Sequence, residues 1–246
     1  MLGSERSAMT GVDLDDLDQD ALDRFVIERA PELVAALGRD DAAIRLGLLA
    51  KVAPRLAPTQ VGLYVFGRVP QYVAPEWGVA CVSFDGRTLA DPIASRVDAE
   101  GPLAVLVSKA LTFVDEAQRG SSARYSPAVV REVVVNALVH RDLRRPSRVS
   151  VRVFADRLEV HSPGGPPEGY ADLDDLAREG GVSAPRNPLL ASVARRLGLG
   201  EQLGRGLVRI VTEGSAGLDE RVEIRVSPKD VLVCLPPAIA KGRPLS

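Results

Sequence analysis

The sequence predicts a mixed α+β fold, and three observations carry that expectation. Residues 148–154 and 157–161 alternate apolar and polar side chains on either side of Ala155 and Asp156, as the two strands of a β-hairpin do. Residues 221–226 and 231–235 form a closing hairpin around Pro228, Lys229 and Asp230. Helical spacing, by contrast, runs through Leu103, Val107, Leu111 and Val114, and again from Ser126 to about Arg141.

With 246 residues, the chain is long enough to bury one large core or two small ones. Its 46% hydrophobic and 26% charged residues are ordinary for a globular protein, which argues against wholesale disorder and against a membrane protein. No apolar run approaches the roughly 20 residues that span a bilayer. The N-terminus turns acidic at Glu5, where a signal peptide would turn apolar, so the chain reads as cytoplasmic. Cys81 and Cys234 lack a second pair or a nearby histidine and read as small core residues rather than a zinc site or a disulfide. A net charge of −2 argues against this chain alone being a strong non-specific DNA binder. Arg141, Arg144, Arg145, Arg148 and Arg152 form a local basic cluster, either a solvated loop or a patch for nucleic acid.

Along the chain, the first dozen residues are expected to be disordered. A run of aspartates from Asp13 to Asp23 then leads into a helix around Leu22, Phe25 and Val26. A second helix is expected over residues 41–52, broken by Pro54 and Pro58. Two apolar runs, 61–66 and 79–84, are short enough for buried strands and are expected to pair within one sheet. A helix over 102–117 follows, and Gly120, Ser121 and Ser122 mark the internal boundary. Ser126 and Pro127 supply an N-cap and a first helical proline for the next helix. Short helices are expected over 172–179, 188–197 and 205–213. The domains are accordingly 1–56, an acidic tail with helices; 57–120, an α/β segment; 121–238, the main domain; and 239–246, a tail.

The chemistry is concentrated on the helix beginning at Ser126. Glu132, Asn136 and His140 recur every fourth residue and share one stripe, while the rest of the helix is almost entirely Val, Ala and Leu. A carboxylate and an amide buried there need partners. Two readings fit: Glu132 pairs with an arginine and Asn136 with backbone, or Asn136 holds a hydrated Mg²⁺ and Glu132 serves as a base or orients a water. Downstream lie two glycine clusters, Ser162-Pro163-Gly164-Gly165 after a strand and Gly198 to Gly206 before a helix. Each suits either an ordinary turn or close approach to a phosphate. The second lacks the lysine of a P-loop and the spacing of a Rossmann fingerprint. Between the clusters, Asn187 before Pro188 is a natural N-cap, and Arg186 can face either solvent or an anion.

Taken in order, Arg131-Glu132-x-x-x-Asn136-Ala137-x-x-His140-Arg141-Asp142, Asp156 to Val160, Pro163-Gly164-Gly165, Pro185-Arg186-Asn187-Pro188 and Glu201-x-x-Gly204-x-Gly206 resemble one family. It is the ATP-binding domain of RecG-like and Schlafen (AlbA)-associated transcriptional regulators, within the gyrase, Hsp90, histidine-kinase and MutL (GHKL) superfamily. The resemblance covers residues 125–213. Pro58-Thr59-x-x-Gly62-Leu63-x-x-Phe66-Gly67-x-x-Pro70-Gln71 extends it back to about Ala57.

The resemblance implies a two-layer α/β sandwich of Bergerat type that binds ATP and Mg²⁺. In it Glu132 would polarise the attacking water and Asn136 would hold Mg²⁺. Ser162, Gly164 and Gly165 would form the adenine-side box, Arg186 and Asn187 would lie on the nucleotide, and Gly204, Arg205 and Gly206 would form a lid against the phosphates. A homodimer and a regulatory protein partner are implied by superfamily habit. Ser162 departs from the family's asparagine and Leu143 from its tyrosine. Too little chain precedes Ala57 for the AlbA-like nucleic-acid-binding domain, so an ATP module alone, or a fragment, is expected. The function so implied is a slow Mg²⁺-dependent ATPase or nucleotide switch; the alternative is a non-catalytic interaction or dimerisation module with a degenerate nucleotide site.

Overall fold

The computed structural model describes residues 4–119, 123–166, 185–200, 206–215 and 221–237. The helix expected over 172–179, the 120–122 boundary and Gly204 and Arg205 of the expected lid lie outside them. The described elements are α1 (Gln19–Arg29), α2 (Pro31–Leu37), α3 (Arg39–Arg45), β1 (Leu49–Val52), β2 (Arg55–Pro58), α4 (Gln60–Phe66), β3 (Val79–Phe84), β4 (Ile93–Ala99) and α5 (Leu103–Ala117). There follow α6 (Pro127–His140), β5 (Val149–Val153), β6 (Leu158–Pro163), α7 (Pro188–Arg196), α8 (Gly206–Gly214), β7 (Glu223–Val226) and β8 (Asp230–Leu235). The fold is α+β, as expected. Among the described residues no helix is long and apolar enough to cross a membrane.

Six strands form one sheet in the order β4-β3-β5-β6-β8-β7, while β1 and β2 form a separate hairpin. β3 and β5 run parallel, and every other neighbouring pair in the sheet is antiparallel. The Ser162 hydroxyl reaches Ala137 in α6, which marks the helix side of the sheet. Side chains two apart on a strand share a face, so Leu158 and Val160 lie on that side too. Register carries the same face across to Val151, Cys81 and Val233. All of these are buried. The opposite face carries Arg152, Glu159 and His161, with Arg225 and Glu223 on β7. The helices thus cover one face and leave polar groups on the other.

β3 belongs to the 57–120 segment and β5 to 121–238, so the sheet and its core run across the boundary read from the linker. Three expectations need correction. Residues 61–66 form helix α4, not a strand, and β3 pairs with β4 instead. All six of these residues are buried, so the run has no polar face to reveal a helical period. Thr59 caps α4, its Oγ1 accepting from the Gly62 amide at 3.0 Å and lying 2.7 Å from the Gly47 carbonyl it donates to. Residues 41–52 are not one helix: α3 ends at Arg45 and Leu49 opens β1.

The third correction concerns the stretch expected to be disordered at the start of the chain, of which residues 4–12 are described and are anchored. Met9 donates its amide to the Pro58 carbonyl at 2.9 Å. Glu5 is buried, and its carboxylate accepts from the Leu190 and Leu189 amides at 2.9 and 3.3 Å. It therefore satisfies the open amides at the start of α7 and places a negative charge at that helix end, where the backbone dipoles favour it.

Gly62 lies so close to the β1 approach that a Cβ there would sit 1.9 Å from the Leu48 carbonyl oxygen. Because the obstacle is backbone, Gly62→Ala is expected to cost at least about 3 kcal/mol of unfolding free energy, read by urea denaturation. An unchanged midpoint would contradict this packing.

Candidate functional site

α6 is the central helix, buried along most of its length, and its C-terminus ends inside the protein. The last four carbonyls of a helix have no partner within it. Two of the expected nucleotide ligands fill that role here. Ser162 donates its hydroxyl to the Ala137 carbonyl at 2.8 Å. Asn187 donates its amide to the Val139 and Arg141 carbonyls, both at 2.8 Å. Both side chains are buried. Asn187 is therefore not a side-chain cap of its own helix α7, as its position before Pro188 suggested; it closes α6. Ser126 likewise precedes α6 without a side-chain cap bond; its carbonyl accepts from Val130 at 2.9 Å.

The Ser162 bond brings the Pro163-Gly164-Gly165 turn against the Asn136 turn of α6. Asp142 donates its amide to the Pro163 carbonyl at 2.7 Å, and Gly164 donates to the Lys229 carbonyl at 2.7 Å. Gly164 has φ +99°, and a Cβ there would lie 2.7 Å from Asp142 Cβ. A Cβ on Gly165 would lie 2.3 Å from the Ser227 carbonyl oxygen. Both glycines are thus required by close backbone packing. Arg186 donates to the Gly165 carbonyl, and its guanidinium also lies 3.5 Å from Asp142.

The stripe behaves unevenly. Glu132 is buried and engaged. Asn136 is half-buried, and its amide makes no hydrogen bond among the described residues. Burial pushes the His140 imidazole down to about 4, with the Arg186 charge adding to the effect, so it is neutral near pH 7. Asp142, to which the sequence analysis gave no role, links Arg186 to Arg144, whose Nε lies 3.1 Å away. Burial works to raise its carboxyl, but the bonds from Arg144 and the charge of Arg186 hold it below the usual range. Its signal in the sequence was its place directly after His140 and Arg141.

The second glycine cluster begins beside the same helix: Arg131 donates to the Gly198 carbonyl at 3.1 Å, and Gly200 lies against Val135. Gly206 opens α8. Among the described residues no three His, Cys, Asp or Glu side chains gather in a way that could hold a metal ion.

The basic cluster is committed elsewhere. Arg141 is fully buried and donates to the Glu76 and Ser147 carbonyls at 2.7 and 2.9 Å. Burial pushes its guanidinium below its ordinary value, and burial raises the neighbouring Tyr64 phenol to about 12 against the pull of Arg141. Arg148 binds the Pro75 carbonyl at 2.9 Å and Glu100 at 3.3 Å, and Arg152 lies 3.8 Å from Glu159.

Two measurements check this geometry. Asn187→Ala leaves two carbonyls at the buried end of α6 unpaired and is expected to cost about 2 kcal/mol or more in denaturant unfolding. For His140, a folded-state value near 4 against an ordinary 6.5 means that its stabilising contribution is complete above pH 6.5 and is lost as pH falls towards 4. The chain has two histidines, so the C2 proton signal removed by His140→Gln identifies the residue in NMR titration. Its midpoint is expected near 4, and a midpoint at 6.5 would contradict the burial.

Residues 147–235 match the model of a family described as "Putative ATP-dependent DNA helicase recG C-terminal", an ATPase-like family. The matched stretch begins after α6, so it includes the glycine turn, Arg186 and Asn187 but not Glu132 or Asn136. No curated protein matches the chain. Among solved structures, the fold is similar to that of the DIP2311 protein from Corynebacterium diphtheriae, with a TM-score of 0.68 and 23% identity. That likeness covers 98% of this chain and 47% of the other, so the chain spans about half the length of the solved relative. The N-terminal helices and both sheets therefore recur together as one fold, and residues 147–235 within it carry the pattern of an ATPase-like family.

Proposed function

We propose that this chain is an ATP-binding regulatory module, a slow Mg²⁺-dependent ATPase or a nucleotide switch, acting within a transcriptional regulator of the RecG-like, GHKL type. The observation that carries the reading is the Ser162 to Ala137 bond, which sets the glycine turn of the ATPase-like segment against the turn of α6 that holds Asn136. The half-buried Asn136 amide, with no hydrogen bond among the described residues, is free to meet a ligand there.

Asn136 fits a hydrated Mg²⁺, which takes few protein oxygens and keeps waters and phosphate oxygens for the rest of its shell. When bound, the ion would supply positive charge against the nucleotide phosphates. Glu132, four residues earlier on the same stripe, is the candidate to position water. Arg186 offers a cation beside the glycine turn, at the cost of its contacts with Asp142 and the Gly165 carbonyl. Neutral His140 adds no charge beside Asn136 near pH 7. Ser162 is less suited than a carboxylate to reading the adenine amine because it is shorter and uncharged, although the lone pairs left by its bond to Ala137 can still accept.

A second reading, a non-catalytic interaction module, draws on one fact. Ser162, Gly164, Gly165 and Asn187 all have packing or hydrogen-bonding tasks that explain them without a nucleotide. Calorimetric titration separates the two. ATP is expected to bind wild-type protein only with Mg²⁺, and a folded Asn136→Ala variant is expected to lose at least about tenfold in affinity. Glu132→Gln is expected to keep binding and to lose phosphate release. Absence of binding at millimolar ATP by the folded wild type would leave the interaction module as the surviving reading.

A further inference from the structure

We infer that β4 is the seam of a homodimer, in which a second copy of this chain adds its own β4 antiparallel to the first, centred on Val97. β4 ends the six-stranded sheet and is bonded on one side only, by β3. Ile93 to Asp98 are all exposed, and only Ala99 is buried. A seven-residue edge of this kind presents a row of backbone donors and acceptors to any strand that can lie beside it. The opposite edge, β7, has four residues.

The two faces of β4 differ. Val97 lies opposite Cys81 and Ser95 opposite Ser83, so these two project on the helix side of the sheet, while a register shift beyond Ser95 sets Ile93 opposite Phe84. On that side Val97 remains 43% exposed, beyond the cover of the helices, and Ile93 at the start of the strand is 57% exposed. α5 packs on β4 and carries a further exposed valine, Val105. The other face carries Arg96 and Asp98, their side chains 61% and 41% exposed and 3.0 Å apart. Edge strands are commonly guarded by charge, which repels a like strand. β4 instead carries one charge of each sign, two residues apart.

That spacing selects the second copy as the occupant. A continuous antiparallel sheet formed by two identical edges has its two-fold axis perpendicular to the sheet and passing beside one residue, which then faces itself. With the axis at Arg96, like charges stand directly opposite, which is unfavourable. With the axis at Ser95, Arg96 faces Ala94 and the charges gain no partner. With the axis at Val97, Arg96 faces Asp98 of the second copy and Asp98 faces its Arg96, so two ion pairs form across the seam. Val97 packs on Val97 on the other face, and the α5 helices of both copies lie on the same side of the joined sheet. The complementarity is of this strand with itself, and it does not depend on the nucleotide reading.

Sedimentation equilibrium over a range of concentrations tests the seam. The wild type is expected to pass from one chain mass to twice that mass as concentration rises. Arg96→Glu and Asp98→Arg each place like charges opposite one another twice, and each is expected to weaken self-association at least tenfold. Mixed in equal amounts, the two variants again oppose unlike charges at both positions, and the doubled mass is expected to return. These side chains are exposed, and circular dichroism verifies that both variants fold. A wild type that stays at one chain mass at about 100 µM would overturn the proposal and leave the edge to a strand from another protein. Doubling unaffected by either variant would overturn it too, placing the interface elsewhere. So would a mixture that remains monomeric.

Discussion

The buried C-terminus of α6 is the constraint on which the surrounding structure depends. A helix that ends in solvent can leave its last carbonyls to water, but this one must find protein donors. It finds them in Ser162 on β6 and Asn187 ahead of α7. Just beyond the helix, the Arg141 guanidinium holds the Glu76 and Ser147 carbonyls from a fully buried position, with Trp77 donating to the Leu143 carbonyl nearby at 3.0 Å. One helix end thereby ties together segments that are more than 100 residues apart in sequence, from Glu76 to Asn187.

The same bonds create the candidate site. Whatever satisfies the end of α6 also delivers a glycine turn and an arginine to the helix that carries Asn136 and the neutral His140 imidazole. Holding the fold and supporting the candidate site are compatible tasks for Ser162 and Asn187. A donor locked on a helix carbonyl is a rigid support, and rigid supports are what a binding site requires. The charges are arranged in keeping with this: Asp142 partners Arg186 and Arg144, so the cation beside the glycine turn is already balanced.

Much of the second half was legible because its burial alternates. In β5, Val149, Val151 and Val153 are buried while Ser150 and Arg152 between them are half-buried, and that period shows in the sequence. α4 was not legible because burial on all sides erases periodicity; the available signal was Thr59 placed three residues before Gly62. The β1 and β2 hairpin was hidden because Leu49 and Val52 continue the spacing of α3. At the site, the identities of Glu132, Asn136, Ser162 and Arg186 could be read directly. Their partners could not, since Asn187 looks identical in sequence whether it caps the helix that follows it or bonds the carbonyl of Arg141, 46 residues earlier at the end of α6. Local sequence specifies a donor's type, and only tertiary structure decides which acceptor it reaches.

The carboxylate of Glu5 has a consequence for how the molecule is assembled in time. It bonds the amide of a residue 185 positions later, a closure spanning most of the chain. Emerging from the ribosome, the first segment exists long before α7 does, and long closures are slow to form. The sheet strands β3 to β6 can pair while α7 is still unmade. The N-terminal segment then acts as a late clasp: α7 reaches its final capped state only once Glu5 has met the amides of Leu189 and Leu190.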